Sequence, residues 1–103
     1  MRQIKVLVVE DSLVFRELLV KNLNKDPAIQ VVATARDPFE ARDAIVEYKP
    51  DVMTLDIELP RMSGIEFLQK LMPQYPMPVV VISSMSDKVF DALNAGAVEF
   101  VAK

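Results

Sequence analysis

The sequence predicts a single α/β domain in which helices cover both faces of a five-stranded parallel sheet. Two observations support this fold class: β-branched runs alternate with helical patterns along the whole chain, and each run is continuously apolar, as in strands buried on both faces. Because crossovers between parallel strands are right-handed, we expect a doubly wound sheet with strand order 2-1-3-4-5. The five predicted strands are residues 4–9, 29–35, 51–55, 79–83 and 99–102.

Four helical segments separate these strands, at residues 13–24, from 38 onward, 64–72 and 88–95. The first and third stop ahead of prolines, and Gly96 closes the fourth as a left-handed cap. The second begins at the sequence DPFE, where Asp37 is the predicted N-cap, Pro38 suits the first helical position and Glu40 completes a variant capping box. Its predicted buried stripe consists of Phe39, Ala41, Ala44, Ile45 and Tyr48.

Composition narrows the possible functions. The 103 residues suit one domain, and the net charge of −3 with scattered basic residues argues against a nucleic-acid surface. The absence of Cys and His excludes disulfides, thiolate or imidazole metal sites and the Ser-His-Asp mechanism. The apolar runs are of strand length, too short to span a bilayer, and the start MRQIKVLVVEDS turns acidic too early for the signal peptide of a secreted protein, so we expect none. We therefore expect a cytoplasmic protein that does not contact membranes.

Polar side chains gather at the carboxyl ends of the predicted strands, which is where open α/β sheets bind their ligands. They are Glu10 and Asp11 after the first strand, Asp56 after the third, Ser83 and Ser84 at the fourth, and Lys103 after the fifth. If the first and third strands are neighbours at the switch point, the three carboxylates converge.

Three converging carboxylates would repel one another, so they would need a cation, most plausibly Mg²⁺ that keeps several waters. Lys103 would add a fixed positive charge, and such a pocket suits phosphoryl transfer. Asp56 could then be the nucleophile that forms an aspartyl phosphate, with Ser83 donating a hydrogen bond to a phosphoryl oxygen. A lone Asp56 would more often be a turn or cap residue, but its combination with Glu10 and Asp11 favours a chemical role.

Several of these residues also have an ordinary structural interpretation. Asp11 could be the N-cap of the first helix, although Ser12 could serve instead. Ser83 and Ser84 could cap the following helix, and Phe100 fits the core on periodicity alone. Lys103 could be a frayed terminal lysine, and Glu58 a solvated loop carboxylate.

Four segments, in order and over essentially the whole chain, resemble the signature segments of response-regulator receiver domains: VLVVEDS, LDIELPRMSG, VVISS and AGAVEFVAK. The resemblance implies a flavodoxin-like fold, phosphorylation of Asp56 by a partner histidine kinase, and a switch through Ser83, Phe100 and Lys103. It also implies a Mg²⁺ site formed by Glu10, Asp11, Asp56 and the backbone carbonyl of Glu58.

Within that family the segments DIELPRMSG, VISS and GAVEFVAK look most like the regulatory domain of chemotaxis protein-glutamate methylesterases. This implies that residues 1–103 form a receiver domain, itself no classical enzyme, without its last helix and its C-terminal output domain. We then expect an uncovered apolar face, including Val98 and Phe100 or their neighbours, and self-association through it. The alternatives are the receiver of another or a stand-alone response regulator, one that has lost phosphorylation, and a phosphatase using Asp56 and Glu58 as nucleophile and acid.

Overall fold

The computed structural model describes residues 2–103, which form a five-stranded parallel sheet flanked by helices. The strands run in the order β2-β1-β3-β4-β5, as the sequence predicts. Their bounds are β1 Ile4–Val9, β2 Ile29–Ala35, β3 Val52–Leu55, β4 Val79–Ser83 and β5 Glu99–Ala102. Only β3 differs from the prediction, since it begins one residue later.

Four α-helices connect the strands, each close to its predicted position. They are α1 Leu13–Leu23, α2 Pro38–Tyr48, α3 Gly64–Leu71 and α4 Val89–Asn94, the last preceded by a 3₁₀ turn at Ser86–Lys88. None of the helices within residues 2–103 is both long enough and apolar enough to cross a bilayer.

Side-chain oxygens cap the first three helices and explain where they begin. Ser12 accepts from the N–H of Phe15 at the start of α1, and Asp37 accepts from the N–H of Glu40 at the start of α2. A serine cap at such a position is worth about 1 kcal/mol. Because Ser12 is the N-cap of α1, the side chain of Asp11 is not used for capping.

The two faces of the sheet are covered unequally. The crossover from β1 to β2 moves in one direction along the sheet and all later crossovers move in the other, so right-handedness places α1 on one face and α2, α3 and α4 on the opposite face. The main buried cluster lies on the three-helix face. Its largest fully buried members are Leu7, Ile45, Met53, Leu55, Leu68, Val9, Val79 and Val81.

The face that carries α1 leaves large apolar side chains exposed. No residue of α1 is buried, and Val14 and Leu18 are 77% and 56% exposed. Val98, just before β5, is exposed as expected, and Val101 is exposed on the face of α1. Phe100 differs from the expectation, because it points to the other face and packs against the buried cluster. The result is an apolar surface of the kind that promotes association.

We expect the 103-residue chain to self-associate through this face. The double substitution Leu18→Glu with Val101→Glu should convert it to a monomer, because both side chains are exposed and the added charges resist burial. Sedimentation velocity over a range of concentrations measures the change. Gln69→Glu with Asn94→Asp adds the same charge at exposed positions of α3 and α4 and should leave the association intact. A wild-type chain that stays monomeric at every concentration would contradict the prediction.

Candidate functional site at the carboxyl edge of the sheet

Two acidic residues are held side by side at the carboxyl edge of the sheet by extensions of the strand ladders. The N–H of Asp56 donates to the carbonyl of Val9 at 3.1 Å, and the N–H of Glu10 donates to the carbonyl of Ala35 at 2.9 Å. Both acidic residues are buried, with 5% and 3% of their surface exposed. Buried carboxylates require a positive partner or hydrogen-bond donors.

Lys103, which directly follows the edge strand β5, supplies that positive partner. Its Nζ lies 2.8 Å from Oδ2 of Asp56 and 2.9 Å from Oε1 of Glu10. Its backbone N–H donates to the carbonyl of Ser83 at 3.0 Å, which continues the pairing of β5 with β4 and directs the side chain into the site. The ammonium also lies 4.5 Å from the centre of the Phe15 ring, within the range of a cation–π contact.

The charge of Lys103 is set by opposing effects. Burial lowers its pKa, but the hydrogen bonds and charges of Asp56 and Glu10 outweigh burial and raise the pKa above its ordinary value of 10.5. Lys103 is therefore a permanent cation at neutral pH, and it neutralises part of the charge of the two carboxylates.

The remaining acceptor atoms of the two carboxylates are also engaged. Oδ1 of Asp56 accepts from the N–H of Ile57 at 2.7 Å, and Oε2 of Glu10 accepts from the N–H of Ser12 at 3.0 Å. Each carboxylate oxygen has a second lone pair, so Asp56 keeps acceptor capacity after these bonds. The Asp56 carboxylate is therefore held in place by a hydrogen bond to each oxygen and can still accept further hydrogen bonds or a metal ion.

Arg16 supports the loop that carries the first acidic residues, and sequence reasoning did not identify it. Its Nη1 donates to the backbone carbonyl of Glu10 at 2.9 Å and to that of Asp11 at 3.4 Å. The side chain of Asp11 stays exposed at the rim of the site. The position of Arg16, in the first turn of the helix that follows Glu10 and Asp11, was the sequence feature that could have indicated this contact.

Gly64 is a second residue that sequence reasoning treated only as a helix start. A Cβ at this position would lie 2.1 Å from the backbone oxygen of Asp56, so any side chain would displace the loop. The N–H of Gly64 donates to the carbonyl of Ile57 at 2.8 Å. The first turn of α3 therefore packs directly on the backbone that positions Asp56.

The other predicted residues lie at or near this edge with less direct contacts. Ser83 is fully buried at the end of β4, and its Oγ accepts from the N–H of Met85 at 3.1 Å, whereas Ser84 is exposed. Phe100 is half-buried, and Glu58 is exposed in the loop after Asp56. The structure thus brings Glu10, Asp56 and Lys103 into direct contact.

The predicted ligand set fits Mg²⁺ in the chemistry of its donor atoms. Carboxylate oxygens are hard ligands, and Mg²⁺ needs few of them because it keeps several waters. Across residues 2–103, no group of three acidic side chains is close enough to form a complete site. Lys103 instead bridges Glu10 and Asp56, and the metal site remains a prediction.

The fold and this site define a small doubly wound α/β domain with a buried carboxylate beside a lysine at the switch point. Residues 6–103 match the family model described as the response regulator receiver domain, and the chain belongs to this family. The predicted fold and the predicted family are confirmed.

The curated relatives point to one type of receiver. The chain is 69% identical over its full length to protein-glutamate methylesterase/protein-glutamine glutaminase 2 of Syntrophomonas wolfei, of which it covers 30%. It is 55% identical over 106 residues to the corresponding protein of Syntrophotalea carbinolica, covering 99% of the chain and 30% of that protein. The chain therefore spans under a third of the length of these relatives.

Two solved structures extend the comparison. The response regulator domain of Thermotoga maritima CheB is 40% identical, with a TM-score of 0.93 over 99% of this chain and 79% of that one. A chain of the CheX-CheY-BeF3-Mg²⁺ complex of Borrelia burgdorferi is 32% identical, with a TM-score of 0.84 and the same coverage. The first supports the similarity to the methylesterase type, and the second comes from a complex that contains BeF3 and Mg²⁺.

We expect Lys103→Gln to lower the free energy of unfolding near neutral pH by about 1–3 kcal/mol, because two buried carboxylates lose the partly exposed ammonium that pairs with them. The pKa of Lys103 is raised in the folded state, so its contribution is complete below the unfolded value and is lost as pH rises through the folded value. Urea denaturation from neutral to alkaline pH should show the difference between the two proteins shrinking above pH 10.5. Lys25→Gln, at an exposed position, is the control. A difference that does not change with pH would contradict the electrostatic explanation.

Proposed function

We propose that this chain is the phosphoacceptor domain of a two-component system and that a histidine kinase phosphorylates Asp56. The observation that carries the proposal is the position of Asp56: buried at the switch point, oriented by the N–H of Ile57 and in contact with the ammonium of Lys103. An oxygen of Asp56 would attack the phosphorus of a phosphohistidine, forming an O–P bond while the N–P bond breaks. The leaving imidazole nitrogen takes up a proton from water.

Three further side chains have proposed roles after transfer. Lys103 would move its hydrogen bond from the carboxylate to a phosphoryl oxygen and balance the added negative charge. Ser83 would donate a hydrogen bond from its hydroxyl group to another phosphoryl oxygen. Its Oγ only accepts a hydrogen bond from the N–H of Met85, so the O–H remains available. Phe100 lies on β5, the strand that leads directly to Lys103. When Lys103 moves toward the phosphoryl group, Phe100 would change its packing against the core.

The proposed metal ligands are the carboxylates of Glu10, Asp11 and Asp56 and the backbone carbonyl of Glu58. A bound Mg²⁺ would neutralise phosphoryl charge. Arg16 and the N–H of Ser12 would hold the first two of these residues in place. The Mg²⁺ in the Borrelia burgdorferi complex supports a Mg²⁺ site in this domain.

The proposed output is a protein-glutamate methylesterase domain that follows the receiver in the same polypeptide. The identities of 69% and 55% to proteins more than three times as long support it. Phosphorylation would shift the balance between two surface states and thereby control that domain. The proposal includes a chemotaxis-type histidine kinase as partner and the cytoplasmic location expected from the sequence.

A phosphatase that uses Asp56 as nucleophile and Glu58 as acid is the weaker interpretation. Glu58 is exposed to solvent in the loop after Asp56, whereas Asp56 itself is buried, so the two side chains do not share an enclosed pocket.

We expect acetyl phosphate with Mg²⁺ to add one phosphoryl group to the chain, at Asp56 alone, because Asp56 is buried at the switch point in contact with Lys103. Glu10, the other buried carboxylate that contacts Lys103, accepts from the N–H of Ser12 and is a proposed Mg²⁺ ligand. Intact mass spectrometry followed by borohydride trapping and peptide mapping identifies the residue. Asp56→Asn should abolish labelling, whereas Glu58→Gln, which removes the nearest exposed acid in the same loop, should preserve it. Undiminished labelling of Asp56→Asn would refute the assignment.

We expect Asp11→Asn to weaken Mg²⁺ binding about tenfold, equal to about 1.4 kcal/mol, because one of few anionic ligands is lost. The free energy of unfolding without metal should hold or rise, since Ser12 and not Asp11 caps α1. The matched control Ser12→Ala should cost about 1 kcal/mol of stability and leave Mg²⁺ affinity nearly unchanged. Metal titration and thermal melts with and without a chelator measure both quantities. Lower metal-free stability of Asp11→Asn would contradict the structural interpretation.

A further inference from the structure

A groove of about 400 Å³ lies between α2 and α3, on the three-helix side of the sheet. One wall is formed by Phe39, Arg42 and Val46, which recur along α2 at the three- and four-residue spacing of a single helix face. The opposite wall includes Lys70 of α3 and Tyr75 just beyond it. Helix α2 thus has two apolar faces, one against the sheet and one lining the groove.

The groove face of α2 explains why Phe39 was predicted to be buried. Phe39, Val46 and Tyr75 are 41%, 66% and 37% exposed. Apolar side chains scattered singly on a surface need no explanation, but these three line one concave site. Its volume is in the range typical of ligand-binding pockets, so it can accept one or two large side chains.

The charge of the groove is opposite to that of the chain. The net charge is −3, yet the charged residues lining the groove are Arg42 and Lys70, both positive. The guanidinium groups of Arg42 and Arg61 each lie 5.7 Å from the centre of the Phe39 ring. Lys70 contacts Glu66 at 3.3 Å, but both side chains are more than half exposed, and such a pair contributes little.

We propose that this groove docks an acidic amphipathic peptide segment of a partner protein. A large apolar side chain of the segment packs against Phe39, Val46 and Tyr75, and its carboxylates pair with Arg42 and Lys70. This is the helix-in-groove mode of recognition, with charge deciding which segments bind. The inference goes beyond the proposed function and uses none of the residues around Asp56.

The test uses a fluorescently labelled synthetic peptide that carries Leu, Phe and Leu on one helical face and Glu at the remaining positions. A second peptide keeps the apolar residues and replaces each Glu with Lys. Fluorescence anisotropy measures the affinities, and amide chemical shifts of the ¹⁵N-labelled chain locate the binding surface. We expect the acidic peptide to bind at least tenfold more tightly than the basic one, with shifts concentrated in α2 and α3.

Charge reversal of the groove provides the decisive comparison. Arg42→Glu with Lys70→Glu should reverse the preference of the groove so that the basic peptide binds more tightly. Lys21→Glu with Lys25→Glu makes the same change of net charge at exposed positions on and just beyond α1 and should leave the preference as in the wild type. Phe39→Ser should weaken binding of both peptides.

Four outcomes would overturn the proposal. The first is equal affinity for the two peptides, which would indicate apolar adhesion only. The second is an unchanged preference in Arg42→Glu with Lys70→Glu, or an equal change in the α1 control. The third is a set of shifts outside α2 and α3. The fourth is saturation by 3-phenylpropionate without binding of the acidic peptide, which would identify a small-molecule site instead. None of these results depends on whether Asp56 is phosphorylated.

Discussion

The pairing of β1 with β3 is the constraint on which the site depends. Parallel pairing of Val9 with Leu55, continued by the bond from the N–H of Asp56 to Val9, brings the ends of the two strands together. Two carboxylates, from Glu10 and Asp56, are consequently buried side by side. Lys103, which follows β5, offsets their repulsion by contacting both of them. A structural requirement of the sheet thus creates an electrostatic site that suits phosphoryl transfer.

The same topology distributes the helices unequally. One reversal of direction at β1 puts a single helix on one face and three on the other, so the hydrophobic cluster grows on the three-helix face. Phe100 packs against that cluster, whereas its neighbour Val101 is exposed on the face of α1. Successive side chains of β5 therefore point to opposite faces of the sheet: Phe100 toward the core and Val101 toward the exposed face. Lys103 follows directly after this strand.

The loop between β3 and α3 connects the site with the surface groove. Gly64 allows α3 to approach the backbone of Asp56, while Arg61, earlier in the same loop, adopts a left-handed conformation and reaches the ring of Phe39. Contacts with the backbone of Asp56 and with the ring of Phe39 therefore both restrain this loop. Helix α2 contributes Ala41 and Ile45 to the core and presents Phe39 and Val46 to the groove.

The sequence by itself determined the fold class, the strand order, nearly every element boundary and the polar residues of the site, because buried parallel strands, caps and prolines leave strong local signals. It did not decide between Ser12 and Asp11 as the cap of α1, since both residues can accept the same hydrogen bond. It also placed Phe39 and Tyr48 in the buried stripe of α2, although both are exposed, because periodicity indicates an apolar helix face without saying what covers it. The contacts of Arg16 and Gly64, and the bridge from Lys103 to both carboxylates, follow from tertiary structure alone. Each joins residues that are brought together only when the strands and helices pack, so no local pattern in the sequence encodes the distances between them.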